Sequence, residues 1–302
     1  MSAPRLQQPA ARQGPGRLNG RLLEAVDLAV AERAAGALPG DRRAAGMGVG
    51  TELAQLRPYV VGDDVRQIDA AATARTGEPY VRLHVPERTL TTWVALDISP
   101  SMAFGTADRL KIDVAEGVAL AIGHLAIRRA GRVGLMTFGA GTPRVLPPRA
   151  AKPGLVALQR AVNEGVSGDG GSEPGALAHA LGRLGRIATQ PGLVVVVSDF
   201  REQHGWERPL GALRARHSLL AVEVSDPRES DLPAVGRLAV IDPETSERVE
   251  VDTSHPRVRE HFQRLERERS EQVARELRRL RAEHVTLSTR GDWLRELARR
   301  LA

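Results

Sequence analysis

The chain contains no cysteine. That absence excludes disulfides, thiolate zinc centres and cysteine nucleophiles, and it fits a reducing compartment. Aromatic residues are scarce, at 3% of 302 positions, which leaves few rings for stacking nucleic-acid bases. Lysine is almost missing as well. Lys111 and Lys152 are the only two, so nearly all basic charge is arginine. No apolar run approaches the ~20 residues of a membrane-spanning helix. The first stretch, Met1–Gly20, carries Arg5, Arg12 and Arg17 but no apolar centre, unlike a secretory leader. The expectation is a soluble cytoplasmic protein without membrane insertion.

What is present suffices for a real core. Hydrophobic residues make up 42% of the chain, and its length suits one large domain or two modest ones. The net charge is +6, with the excess partly at the ends. Residues 1–46 hold seven arginines against Glu24, Asp27, Glu32 and Asp41, and residues 256–284 hold nine against six acids. A basic balance can mean nucleic acid or acidic partners. It can equally mean an arginine- and alanine-rich coding bias with solvated helix faces, and the scarcity of aromatics favours that reading.

Residues 1–18, rich in Pro, Gln, Gly and Arg, read as a disordered arm. Residues 19–36 read as a helix with Leu22, Val26, Leu28 and Val30 as apolar positions, and 36–50 as a glycine-rich loop. Residues 51–90 suggest short strands and turns. From Thr91 strands and helices alternate. Strands are expected at 91–98, 132–138, 193–197, 219–224 and 285–288, with a hairpin from 238–241 and 248–251. Helices are expected at 109–129, 154–164, 174–187, 206–216 and 256–283, and a last one starts near Asp292. Val258, Phe262, Leu265, Val273, Leu277 and Leu280 form the stripe of the long helix, with Glu260/Arg264 and Glu271/Arg275 as i,i+4 pairs. This alternation predicts an α/β fold: a doubly wound, mostly parallel sheet flanked by helices over 91–302. Residues 19–90 would add an N-terminal helix and a small irregular or β segment.

Three segments bring hard oxygen donors to strand or loop ends. Asp97-Ile98-Ser99-Pro100-Ser101 directly follows the largely apolar run Thr91–Leu96. Ser172 lies in Gly170-Gly171-Ser172-Glu173, just ahead of a helix. Ser198-Asp199 follows Leu193–Val197. Each segment alone could be a helix cap. In the expected topology Asp97, Ser172 and Asp199 share one sheet edge, where open α/β sheets place ligands. Carboxylates with hydroxyls suit Mg²⁺ or a similar divalent cation such as Mn²⁺.

Asp97-x-Ser99-x-Ser101, Gly171-Ser172 and Ser198-Asp199 resemble the metal-ion-dependent adhesion site of von Willebrand factor A domains. The resemblance covers roughly residues 90–290. It implies Ser99 and Ser101 as direct metal ligands, Ser172 in place of the family's threonine, and Asp97 and Asp199 as the acidic members. A carboxylate from a partner protein would complete the shell.

A second stretch, Arg57-Pro58-Tyr59-Val60-Val61-Gly62-Asp63-Asp64-Val65-Arg66-Gln67-Ile68-Asp69, followed by Thr73-Ala74-Arg75, resembles the signature of the DUF58 family. Ala70 stands where that family usually has Trp. The resemblance places the block just upstream of an A-type domain and implies partnership with a MoxR-type AAA+ ATPase. By its residue types the block, with Arg57, Tyr59, Asp63, Asp64, Arg66, Asp69 and Arg75, is either a docking surface or an internal ion-pair network. Arg82 and Glu87 are candidates for the same network.

The expected function is therefore a non-enzymatic, metal-dependent protein-interaction module, acting with such an ATPase in complex assembly or maturation. The alternatives are a metal-dependent hydrolase or phosphatase, and nucleic-acid binding through the arginine-rich segments. A haloacid-dehalogenase-like phosphatase wants an aspartate where this chain has Ser99. It also wants a lysine for the transferred phosphate, hard to find with two in the chain. A serine hydrolase needs a positioned histidine, and nothing in the spacing of His84, His124, His179 or His204 ties them to Ser99 or Ser101. The long helix mixes acids among its arginines, which suits a solvated face more than a duplex.

Overall fold

The computed structural model describes residues 13–16, 18–27, 52–85, 90–163, 174–202, 204–241 and 248–301. They fall into two compact units. One runs over Pro39–Thr89, and the other joins Met1–Leu38 to Leu90–Ala302.

In chain order the first elements are helix α1 (20–27), strand β1 (Glu52–Pro58), helix α2 (Ala70–Thr76) and strand β2 (Tyr80–Val85). The small unit is an antiparallel β1–β2 pair, with a 3₁₀ turn at Val65–Gln67 and α2 between the strands. Asp69 caps α2 by accepting the Ala72 N–H at 2.7 Å, and Gly77 ends it in the left-handed conformation at φ +77°.

The larger unit contains β3 (Thr91–Asp97), α3 (Lys111–Arg128), β4 (Arg132–Phe138), β5 (Val145–Ala150), α4 (Ala151–Asn163) and α5 (Ala176–Ile187). It continues through β6 (Gly192–Ser198), α6 (Glu207–Leu213), β7 (His217–Ser225), β8 (Arg237–Ile241) and β9 (Arg248–Asp252). The last elements are α7 (Pro256–Arg279), β10 (Glu283–Ser288) and α8 (Trp293–Leu301). Six strands form one sheet in the order β10-β7-β6-β3-β4-β5. All neighbours are parallel except β4–β5. Taken in chain order, this is the 3-2-1-4-5-6 arrangement of doubly wound folds with an antiparallel edge. β8 and β9 form the expected separate hairpin, and its turn, 243–245, lies outside the described residues.

The central strands are buried on both faces, which is why β6 reads as a continuous apolar run and β3 as a largely apolar one. Their side chains alternate between two cores. Val94, Leu96, Val195 and Val197 face one core with α1, α3, α4 and α8. Trp93, Ala95, Val194 and Val196 face the other with α5, α6 and α7.

Some expectations need correction. β5 was not anticipated, because Pro147-Pro148 argues against a strand. It occupies the sheet edge, where a missing N–H is tolerated. Residues 13–16, expected within a free arm, are held: the Gln13 N–H reaches Asp113 Oδ2 at 3.2 Å, and Trp293 Nε1 donates to the Pro15 carbonyl at 3.0 Å. The stripe of α7 is buried only toward its end, at Val273 and Leu277, while Leu265 is 50% exposed. Glu271 pairs with Arg275 as expected, whereas Arg264 turns to His261. Asp292 caps α8 by accepting the Arg295 N–H. Among the described residues no helix is long and apolar enough to cross a membrane.

Candidate metal centre

β3 and β6 are adjacent, and the winding of the sheet reverses between them. The carboxyl ends of two such strands are where open α/β sheets place their ligand sites. Asp97 is the last residue of β3. Asp199 directly follows β6, and Ser99 and Ser101 lie on the turn at Pro100–Ala103. The structure thus brings Asp97, Ser99, Ser101 and Asp199 together, and all four are buried. Ser172 lies outside the described residues.

The oxygens form a continuous set. Asp97 Oδ1 accepts the Ser99 N–H at 2.9 Å, and its Oδ2 accepts the Ser198 hydroxyl at 2.5 Å. The Ser99 and Ser101 hydroxyls are 3.0 Å apart, and Ser101 donates to Asp199 Oδ2 at 2.7 Å. Gly139, at φ +94°, closes one side. A Cβ there would stand 2.7 Å from Asp97 Oδ1 and 2.8 Å from the Ser99 Cβ, so only glycine fits. On the other side Phe200 sits at φ +50° and is locked edge-on against Trp206, with ring centroids 5.5 Å apart. Such a strained turn persists only where packing over-determines it.

Four residues beyond the sequence reading, Lys111, Arg201, Glu229 and Glu266, complete the electrostatics. Lys111, fully buried at the start of α3, places Nζ 2.6 Å from Asp199 Oδ2 and 2.6 Å from Glu229 Oε1. Arg201 bonds Glu229 and Glu266. A lone lysine at a helix start reads as a solvated residue, and its partners are remote in sequence, so no local signal marks it. It also removes one objection to a phosphatase, since a lysine does stand at the site. That amine is already committed to two carboxylates and has no exposed surface for a phosphate. No described histidine bonds either serine.

The two buried aspartates are shifted in opposite directions. Burial, and then the charge of Asp199, push Asp97 up to about 7. Burial would also raise Asp199, but Lys111 and Arg201 outweigh it and hold the group down to about 2. The attraction of Asp199 and Glu229 likewise outweighs burial at Lys111 and raises its amine. Lys111 thus compensates Asp199 and leaves Asp97 without a cation. Among the described residues no three His, Asp or Glu side chains gather around one point. The set relies on hydroxyls, the donor chemistry of a small hard cation. A buried uncompensated carboxylate beside two converging hydroxyls fits Mg²⁺ or Mn²⁺.

In the small unit the signature residues divide. Arg57 clamps Asp63 with two bonds of 2.7 and 2.8 Å, and Asp63 also accepts the Val60 N–H. Asp69 accepts from Ala72 N–H and from Arg82 Nε at 2.6 Å, and Asp64 caps the Val65–Gln67 turn. Tyr59 donates its N–H to the Pro79 carbonyl. Arg66 and Arg75 point outward, as do Val60, Val61 (94% exposed) and Val65. Glu87 lies outside the described residues.

The strand order, with Asp97 and Asp199 at its switch point, defines a von Willebrand factor A-like α/β protein. The family model described as "Protein of unknown function DUF58" matches residues 55–272, and the chain belongs to that family. It is 37% identical over 287 residues to the uncharacterized protein Rv1480 of Mycobacterium tuberculosis, covering 93% of this chain and 88% of that one. The crystal structure of BatB from Bacteroides thetaiotaomicron aligns with 70% of this chain and 97% of its own, at 14% identity and a TM-score of 0.46. The VWA domain of SpRpn10 covers 69% and 93%, at 11% identity and 0.38. Both structural likenesses are too distant to carry a function across.

Proposed function

We propose that this protein is a non-enzymatic interaction module that captures a partner's carboxylate through a divalent cation, Mg²⁺ or Mn²⁺, held at Asp97, Ser99, Ser101 and Asp199. The carrying observation is the uncompensated, buried Asp97 carboxylate beside two converging serine hydroxyls at the switch point of the sheet. When bound, the cation supplies positive charge and an open coordination position for an outside oxygen ligand. The chain's own groups prepare that position. Ser198 and the Ser99 N–H orient Asp97, Ser101 bridges to Asp199, and Lys111 keeps Asp199 ionised.

Both Asp97 oxygens already accept hydrogen bonds inside the protein, which suits a ligand support better than a nucleophile. The partner in this reading is a MoxR-type AAA+ ATPase, as the resemblance of the Arg57–Arg75 block suggests, with the client process being complex assembly or maturation. The test is Mg²⁺-dependent association of the full chain with a MoxR-type ATPase of the same organism, measured with wild type and Asp97→Ala. Loss of binding on chelation and on substitution is expected. Binding indifferent to both would remove the metal from the mechanism.

A further inference from the structure

Beside the metal centre lies a groove of about 610 Å³, bounded by the loop after β4 and by α5. Its floor is apolar, with Phe138 at the end of β4 and small residues on the helix. On α5, His179, Arg183 and Arg186 are all exposed, and their i, i+4, i+7 spacing sets them along one face. Gly182 keeps that face low, since a Cβ there would meet nothing within 4 Å. No described carboxylate lines the groove, and no described acid pairs with Arg183 or Arg186. Gly139 belongs to both places. It lines the groove, and its backbone lies against Asp97 and Ser99.

We propose that this groove receives an acidic segment of the partner protein, laid along α5 so that one of its carboxylates reaches the metal centre past Gly139. The inference rests on the metal-site reading and names the chemistry of the partner: carboxylates interleaved with apolar side chains. Charge complementarity carries it. Two guanidinium groups, Arg183 and Arg186, and the His179 imidazole stand above an apolar floor, at the end of which lies the site proposed to accept a carboxylate. A nucleic-acid strand would want a longer basic track with stacking rings. Of the two aromatic rings lining it, Phe138 is buried and His179 is a single exposed imidazole.

The experiment uses the full chain with labelled hexapeptides of alternating glutamate and leucine, read by fluorescence anisotropy in saturating Mg²⁺. Mg²⁺ alone is titrated in parallel by calorimetry. Arg183→Glu/Arg186→Glu should weaken peptide binding roughly tenfold, from the reversal of two exposed charges. It should leave Mg²⁺ affinity unchanged, and Arg183→Lys/Arg186→Lys should retain most of the binding. Glutamine-for-glutamate peptides should bind no better than the charge-reversed protein binds the acidic ones. Binding that needs Mg²⁺ but ignores the arginines overturns the groove and keeps the metal centre. Binding that needs the arginines but survives chelation keeps the groove and removes the metal. No binding of the acidic peptides, or tighter binding of an oligodeoxythymidylate, overturns the proposal.

Discussion

Replacing Asp97 with asparagine should change stability with opposite signs at low and high pH. The carboxyl is raised from 3.8 to about 7 in the folded protein, first by burial and then by Asp199. The folded state therefore binds this proton more tightly than the unfolded chain. The favourable contribution is complete below about pH 4 and is lost as pH rises toward 7. By pH 8, without metal, ionised Asp97 costs about 4 kcal/mol relative to its neutral form. The asparagine side chain has the same shape and no charge to desolvate. Its amide can accept from only one of the two donors that face Asp97, the Ser99 N–H and the Ser198 hydroxyl. The lost bond costs about 1–3 kcal/mol. Asp97→Asn should thus destabilise the protein by about 1–3 kcal/mol at pH 4 and stabilise it by roughly the same at pH 8 in EDTA. Added Mg²⁺ should reverse the order at pH 8, because only the carboxylate gains from the cation. Urea unfolding at both pH values, with EDTA and with Mg²⁺, reads all four conditions. An equal loss at pH 4 and pH 8 would refute the raised carboxyl, and equal stabilisation of both proteins by Mg²⁺ would refute Asp97 as part of the cation site.

Two further substitutions probe the supports. Lys111→Met removes the ammonium shared by buried Asp199 and part-buried Glu229, leaving Arg201 as their remaining cation, so a loss of about 3–5 kcal/mol is expected in urea unfolding at pH 7. A loss below about 1 kcal/mol would mean the carboxylates have other compensation. Asp69→Ala removes the cap of α2 and the Arg82 pair, and should weaken the small unit by about 0.5–2 kcal/mol. Faster hydrogen exchange confined to residues 70–80 would report it, and unchanged exchange there would count against the cap.

The parts of the site visible in sequence are those whose geometry is local. Asp97, Ser99 and Ser101 fall within five residues at the end of a largely apolar strand, and Asp199 follows another. Strand type and position fix their place once the winding is known. Lys111 and Glu229 were not legible, because their meaning arises from pairing with Asp199 across 88 residues and with each other across 118. Gly139 directly follows the expected strand 132–138, and nothing local shows its role, since the atoms it must avoid belong to β3 and the turn after it. The Arg57–Asp63 clamp spans six residues, and its types and spacing allowed an internal pair. β5 was hidden by prolines that only an edge position excuses.

The contact between Trp293 and Pro15 joins positions 278 residues apart, and Gly117 is the space that admits them: a Cβ there would stand 2.5 Å from the indole and 2.8 Å from Pro15. Leu23 and Val26 of α1 and Leu294 and Leu297 of α8 lie in the same core. During synthesis Pro15 must wait 278 residues before its partner Trp293 exists. The sheet can pair progressively, but one of its two cores stays open until α8 emerges. Such long-range closure slows folding and leaves apolar surface uncovered in the nascent chain. The vulnerable interval for aggregation thus lasts until α8 is made and closes the layer to which α1 belongs.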